Sequence, residues 1–427
     1  MKVRILPRRR GVAAVVAVAF ALTMLSGCSA DETVELDLPA QVESDLPADT
    51  VAQLEAAVTS AMTATGSSGA VVGVWAPWSG QWVTGLGAQS IGGTDAVTTD
   101  MTFRAGDVTR AMTCDVLFRT AAAGTVSLDD SVTQYVSSVP DLSLVSLRQL
   151  CDSSSGVGSY APTLQSAFFS NPDREWNPRE LAGYGQAQYD QSVSGSAFRD
   201  SDAGYLLLGL ALERATGESI GQLIDEEVVR PLGLTATSLP GSDPAPPGDD
   251  ALEGYWSVPD AAGAWNCADP ANRTVLSASM GASDSGAVTD ITDLGRYAQA
   301  LATNALVGGE SARFDNPLPV AADQPSWFTA KGGAYQAGSL IGQYGSVPGY
   351  LTAAFSDPTT GMTVAVVLNN SGANSSIGAW LAWELAAIAS KAPAASGQTA
   401  PQAGLPWTAQ QFHDQIAANA ICAAPAP

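Results

Sequence analysis

Residues 342–370, GQYGSVPGYLTAAFSDPTTGMTVAVVLNN, are rich in β-branched and aromatic side chains and are broken by turn formers. From residue 350 onward they read as a hairpin with its turn at Asp357-Pro358, and a helix follows over 374–390. The same pattern stands near the other end of the chain. There SGAVVGVWAPWSGQWVTGLGAQS, residues 68–90, sets two β-rich runs on either side of Pro77-Trp78-Ser79-Gly80. Between the two hairpins the periodicity turns helical. Val108, Ala111, Met112, Leu117 and Phe118 keep helical spacing over 107–123, and Gly124 stops that helix. Residues 205–216, YLLLGLALERAT, predict a buried helix closed by Gly217. Ser219 caps the next helix, which Pro231 is expected to end at Arg230. Another helix is expected over 51–64. Hairpins at both ends with helices between them predict an α/β (α+β) fold. One antiparallel sheet is built from both chain ends and flanked by helices, and a helical lobe stands across a cleft from it.

A chain of 427 residues, 46% hydrophobic, can bury a large core and does not read as disordered. Its net charge of −23 repels phosphate backbones, which argues against a nucleic-acid partner. The N-terminus is basic (MKVRILPRRR), then apolar (GVAAVVAVAFALTML), then small (LSGCSA). That order reads as an export signal, too short for a comfortable membrane span. Leu25-Ser26-Gly27-Cys28 resembles the bacterial lipobox. The resemblance implies a signal peptide over 1–27 and a diacylated Cys28, anchoring an extracytoplasmic protein to the cell membrane. Residues 28–50 are acidic and Pro-punctuated and read as a tether; the domain is expected over 51–391. Residues 392–427 then form a Pro/Ala-rich linker and a C-terminal segment. Cys114, Cys151, Cys267 and Cys422 are an even set in an oxidising compartment, which points to disulfides. With no C-x-x-C spacing and a single histidine, His413, neither a metal nor a cofactor is expected.

A shorter stretch poses the chemical question. In FRAGDVTRAMT, residues 103–113, Gly106-Asp107-Val108-Thr109-Arg110 has the rhythm of G-S-x-x-K with serine and lysine exchanged. LRQLCDSSSGV (147–157) resembles L-R-x-L-L-x-H-T-S-G-L, and SGSAFRDSDAGYLLLG (194–209) resembles P-G-x-x-F-x-Y-S-N-x-G-Y-x-L-L-G. RPLGLTATSLP (230–240) resembles P-L-G-M-x-x-T, and residues 342–370 resemble G-H-x-G-x-x-P-G-Y followed by D-P-x-x-G-x-x-V-V-V-L-x-N. In this order, over roughly residues 50–390, the blocks resemble the serine β-lactamase and D-Ala-D-Ala carboxypeptidase (penicillin-binding-protein-like) family with its related esterases. In that family the serine of S-x-x-K is acylated, and the lysine and the tyrosine of Y-x-N share the proton transfers. The H-x-G or K-T-G strand supports substrate and oxyanion. The resemblance places these roles on Asp107, Arg110, Asp200, Asp202, Gln343 and Gly345, of which only Gly345 keeps the family residue.

The exchanges remove the chemistry. An acylated aspartate would be an anhydride, and a guanidinium does not lose its proton in proteins. Asp200 lacks the phenol of the family tyrosine. As local structure, Asp107 is expected to cap its helix with Arg110 pairing one turn on, and Asp202 to cap the helix that follows it. Gln343 reads as a neutral hydrogen-bonding stand-in on its strand. Gly217-Glu218-Ser219-Ile220-Gly221 matches G-x-S-x-G, but a helix precedes it where a nucleophile elbow needs a strand. Lys331-Gly332-Gly333 echoes K-T-G too early in the chain, and His413 reads as a surface residue. In the family the segment ending at Cys151 packs near the Asp107 helix, which favours Cys114–Cys151, and Cys267–Cys422 is then favoured for the remaining two. The expectation is an exported lipoprotein whose β-lactamase-like domain is catalytically inactive and binds cell-wall peptide or another envelope protein. The alternatives are a hydrolase using other groups (a carboxylate acting on water, or Ser153, Ser154 or Ser155) and a purely structural lipoprotein.

Overall fold

A computed structural model describes Met1 and residues 33–308, 312–401 and 404–422. The leader and Cys28 lie outside the described residues. The main sheet has eight strands: β1 Gly69–Ala76, β2 Gly80–Gly87, β3 Leu318–Pro319, β4 Phe328–Lys331, β5 Ala334–Ala337, β6 Leu340–Val347, β7 Tyr350–Ser356 and β8 Thr363–Leu368. Their order is β2-β1-β8-β7-β6-β5-β4-β3, and every pairing is antiparallel. The two hairpins read from the sequence therefore meet at the β1–β8 seam, Val72 opposite Val366.

Alternation along the central strands feeds two cores. Val72, Val74, Val364, Val366 and Leu368 face one apolar cluster, while Val71, Ala365 and Val367 face the other. Because both faces are covered, the central strands are apolar at nearly every position. The first face carries α1 (Ala48–Thr65), α10 (Ser376–Ala389) and α11 (Ala409–Ala418). The second carries α2 (Val108–Ala122) and α9 (Ile291–Ala302). The helical lobe supplies α3 (Leu147–Cys151), α4 (Ala161–Ser170), α5 (Pro178–Gln186), α6 (Asp202–Thr216), α7 (Ile220–Ile224) and α8 (Arg230–Leu232).

Three sequence expectations change. Pro231 does not end its helix: α7 passes through a π segment, Asp225–Val229, into α8, which Gly233 closes in the left-handed conformation. The wider π turn re-registers the hydrogen-bond ladder where proline's missing N–H and ring would otherwise break it. Residues 33–47 do not hang free as a tether. Val34 N donates to Pro231 O, Val42 N to Pro77 O and Leu46 N to Gln81 O, and Asp45 pairs with Gln81 beside the sheet's edge strand. The linker is also held, since Trp78 Nε1 donates to Ala392 O and Ser79 Oγ to Pro393 O. Two disulfides join Cys114 to Cys151 and Cys267 to Cys422, with Cα–Cα distances of 5.6 and 5.9 Å. The first ties α2 to α3; the second fastens the end of α11's segment to the 254–275 region.

Candidate functional site

Gly106, at φ +55°, turns the chain into α2 directly over the Ser346–Val347 backbone of β6. The left-handed conformation favours glycine here. The start of α2, β6 and the helical lobe enclose a cleft of about 400 Å³. Asp107, Arg110, Asp200, Asp202, Tyr160, Phe168, Trp256, Met280 and Asp284 are among its lining residues.

Arg110 is the hub, buried against the Tyr205 ring with its guanidinium 5.1 Å from the ring centre. Its Nε donates to Asp284 Oδ1 at 2.7 Å and its Nη1 to Asp200 Oδ1 at 2.5 Å. Asp107 stands farther off, 3.6 Å from Nη1. Burial acts to lower Arg110's pKa, but Asp107, Asp200 and Asp284 overcome it and keep the guanidinium firmly charged. Burial pushes the Asp107 carboxyl well above the usual range, with Asp284 and Asp200 adding to the rise and Arg110 opposing it. Burial raises Asp284 too, against the pull of Arg110. Asp202 is raised to about 7 by burial and by Asp284, although Ala161 N, Tyr160 N and Arg110 favour its ionised form.

The local roles differ from those read in the sequence. Asp107 makes no capping hydrogen bond, because its backbone is already helical (φ −65°, ψ −5°) where a capping residue is extended. Its carboxylate instead rests against Gly345: a Cβ on Gly345 would lie 2.1 Å from Asp107 Oδ2. The one motif position at which the resemblance keeps its residue is therefore a glycine that makes room for Asp107. Asp202 does not cap α6, since Ser201 Oγ accepts from Gly204 N and does so. Asp202 accepts from Tyr160 N at 2.7 Å and Ala161 N at 2.9 Å, and so caps α4 from across the lobe. Gln343 is buried away from the cleft, donating to Gly333 O and accepting from Tyr344 N.

Four of the six motif positions thus converge on the cleft, Gly345 backs one of them, and Gln343 serves the sheet. Ser153, Ser154 and Ser155 are buried and do not line it; Ser153 Oγ lies 3.0 Å from Tyr205 OH. Ser219 is an N-cap in a capping box with Gln222. Lys331 lies behind Arg110, beside Asp152 and Ser153. His413 is not a simple surface residue: its Nδ1 sits 3.0 Å from the buried Glu384. Asp284 escaped the sequence reading. It stands in Gly281-Ala-Ser-Asp-Ser-Gly286, where a lone carboxylate among small residues was the only signal.

The β-lactamase family model matches residues 54–387. The chain belongs to the β-lactamase family. Its fold is similar to that of several solved structures. A D-stereospecific amidohydrolase from a Streptomyces species superposes with a TM-score of 0.66 at 23% identity, covering 77% of this chain and 95% of that one. An octameric penicillin-binding protein homologue from Pyrococcus abyssi gives 0.65 at 21%, covering 79% and 77%. A D-amino acid amidase from Ochrobactrum anthropi gives 0.64 at 18%, covering 77% and 93%. Within this β-lactamase-family cleft, Asp107 and Arg110 stand side by side at the start of α2. The cleft's serines, Ser159, Ser285, Ser346 and Ser375, have no lysine or histidine beside them in its lining.

Proposed function

We propose that this protein is an exported lipoprotein, held at the cell membrane through Cys28, whose β-lactamase-family domain binds a ligand in its cleft without hydrolysing it. The observation that carries this reading is the ion-paired core of the site. Asp107 replaces the acylated serine, and Arg110, locked by Asp200 and Asp284, replaces the lysine that would take its proton. A nucleophile needs an adjacent base, and here the group beside it is permanently charged. The basic, apolar and small-residue order of the leader, ending at Cys28, supports export and anchoring. Cell-wall peptide, or another envelope protein, is the partner consistent with that address.

Treatment with a fluorescent fluorophosphonate and a fluorescent penicillin tests the reading. No labelling is expected; one stoichiometrically labelled serine would overturn it. Mass spectrometry of the cell-derived protein tests the anchor, with a diacylated Cys28 at the mature N-terminus expected. One observation favours a second reading, hydrolysis by a carboxylate acting on water: Asp202 lines the cleft, and burial there raises its carboxyl to about 7. Turnover of an amide or ester without covalent labelling would select it.

A further inference from the structure

Resting on the reading of the cleft as a binding site, we infer that it takes the primary ammonium group of a small organic amine, with the amine's apolar part against Tyr160, Phe168, Trp256 and Met280. The cleft's size and wall point to a ligand independently of its charge. At about 400 Å³ it falls within the range of small-molecule sites, and an aromatic and thioether wall is the usual surface for an organic body. Tyr160 and Phe168 are set edge to face at 6.0 Å, and Tyr160 OH is spent on Met280 O, so this wall presents apolar surface rather than hydroxyls.

The opposite wall decides the sign of the charge. It holds four carboxyl groups (Asp107, Asp200, Asp202 and Asp284) and one guanidinium. Arg110 spends its Nε on Asp284 and its Nη1 on Asp200, and Asp202 is occupied by the first backbone N–H groups at α4. Asp107, at 3.6 Å from Arg110, lies beyond hydrogen-bond reach; burial by itself favours its protonated form, and a cation placed against it favours the ionised form, as Arg110 does. Asp200 has a half-exposed side chain and one oxygen on Arg110. An ammonium carries three donors and no acceptor, which fits the open Asp200 carboxylate and an Asp107 that ionises against it; a ligand carboxylate would meet like charge at Asp200. A bare metal ion would leave the aromatic wall wet, and no group of His, Cys, Asp or Glu among the described residues is arranged to hold one.

Titration calorimetry at low salt with phenylalanine amide and N-acetylphenylalanine amide, each in D and L forms, tests this. A charge-assisted hydrogen bond predicts that the free amine binds at least about tenfold tighter than its acetylated partner. Asp107→Asn and the more exposed Asp200→Asn should each remove about tenfold from the free amine alone, with the far-ultraviolet circular-dichroism spectrum retained and the N-acetylated partner's affinity unchanged. Equal affinity for amine and acetylated amide, or binding of neither, overturns the inference. Chromatography of the same samples keeps the two claims apart. Release of phenylalanine would refute the non-hydrolytic reading while leaving the amine-to-acetyl ratio to judge the ligand class.

Discussion

Arg110 divides its donors unequally among its neighbours, and the consequences can be followed one residue at a time. Reverting Asp107→Ser alone is expected to give no acylation, because Arg110 cannot accept the serine's proton. Reverting the four positions legible in the sequence (Asp107→Ser, Arg110→Lys, Asp200→Tyr, Asp202→Asn) is also expected to fail. A lysine at 110 would inherit the Asp284 ion pair and be held protonated by it. Adding Asp284→Ala is expected to bring detectable fluorophosphonate labelling at residue 107; labelling already present in the fourfold variant would contradict the role given to Asp284. Asp202 makes a separate prediction through pH. Its pKa in the folded protein is about 7, against roughly 3.9 for an unfolded aspartate. The native state therefore binds more protons than the unfolded state between these values. This contribution is fully present below about pH 4 and is lost as pH rises through 7. Melting temperatures measured from pH 5 to 8 should fall for the native protein and fall less for Asp202→Asn. At this scale the motif positions were legible because their spacing survives. Their partners were not, since nothing in a linear pattern says that Asp202 serves α4 or that Asp284 reaches Arg110.

Helix α2 owes its position to a second ion pair on the side away from the cleft. Arg313, fully buried, pairs with Asp115, donates through Nε to Gly332 O and through Nη2 to Ala111 O, while Tyr297 OH donates to the same Asp115. Arg313→Met leaves the Asp115 charge buried with one hydroxyl, and is expected to cost about 3–5 kcal/mol in urea unfolding. Arg313→Met with Asp115→Leu is expected to recover much of that loss, because both ends of the buried pair are then gone. A double variant no more stable than the single one would show that the surrounding carbonyls, not the charge, set the cost. Element existence was readable from periodicity: the hairpins at 69–87 and 350–368 and the helices at 108–122 and 202–216 follow their patterns. The ends were less so. Pro231 looked like a stop because the sequence does not show that a π turn precedes it. Asp107 looked like a cap because residue type does not reveal backbone angles.

Across the whole molecule, the two disulfides work over very different spans. Cys114–Cys151 closes a separation of 37 residues and Cys267–Cys422 one of 155, which in the chain-entropy model correspond to roughly 4 and 5 kcal/mol at most. Cys422→Ser is expected to lower the melting temperature and to make α11 the first segment to exchange its amide hydrogens. Unchanged exchange at α11 would mean that Phe412 and Ile416, packed with Trp383 and Trp407, hold it unaided. The domain boundaries were the least legible feature, because an acidic, Pro-punctuated stretch has the same composition whether it hangs free or lies along a surface. Here residues 33–47 lie along it, bound at Val34, Val42 and Leu46. These bonds follow one another along the chain, so a pull on the N-terminal end opens them in succession instead of all at once. Each release frees more chain, whose fully extended length for the whole stretch is about 50 Å, before any load reaches the sheet. Single-molecule stretching should record this as an early low-force extension that precedes any unfolding of the sheet; a single rupture with no early extension would show that the strap lets go as one unit.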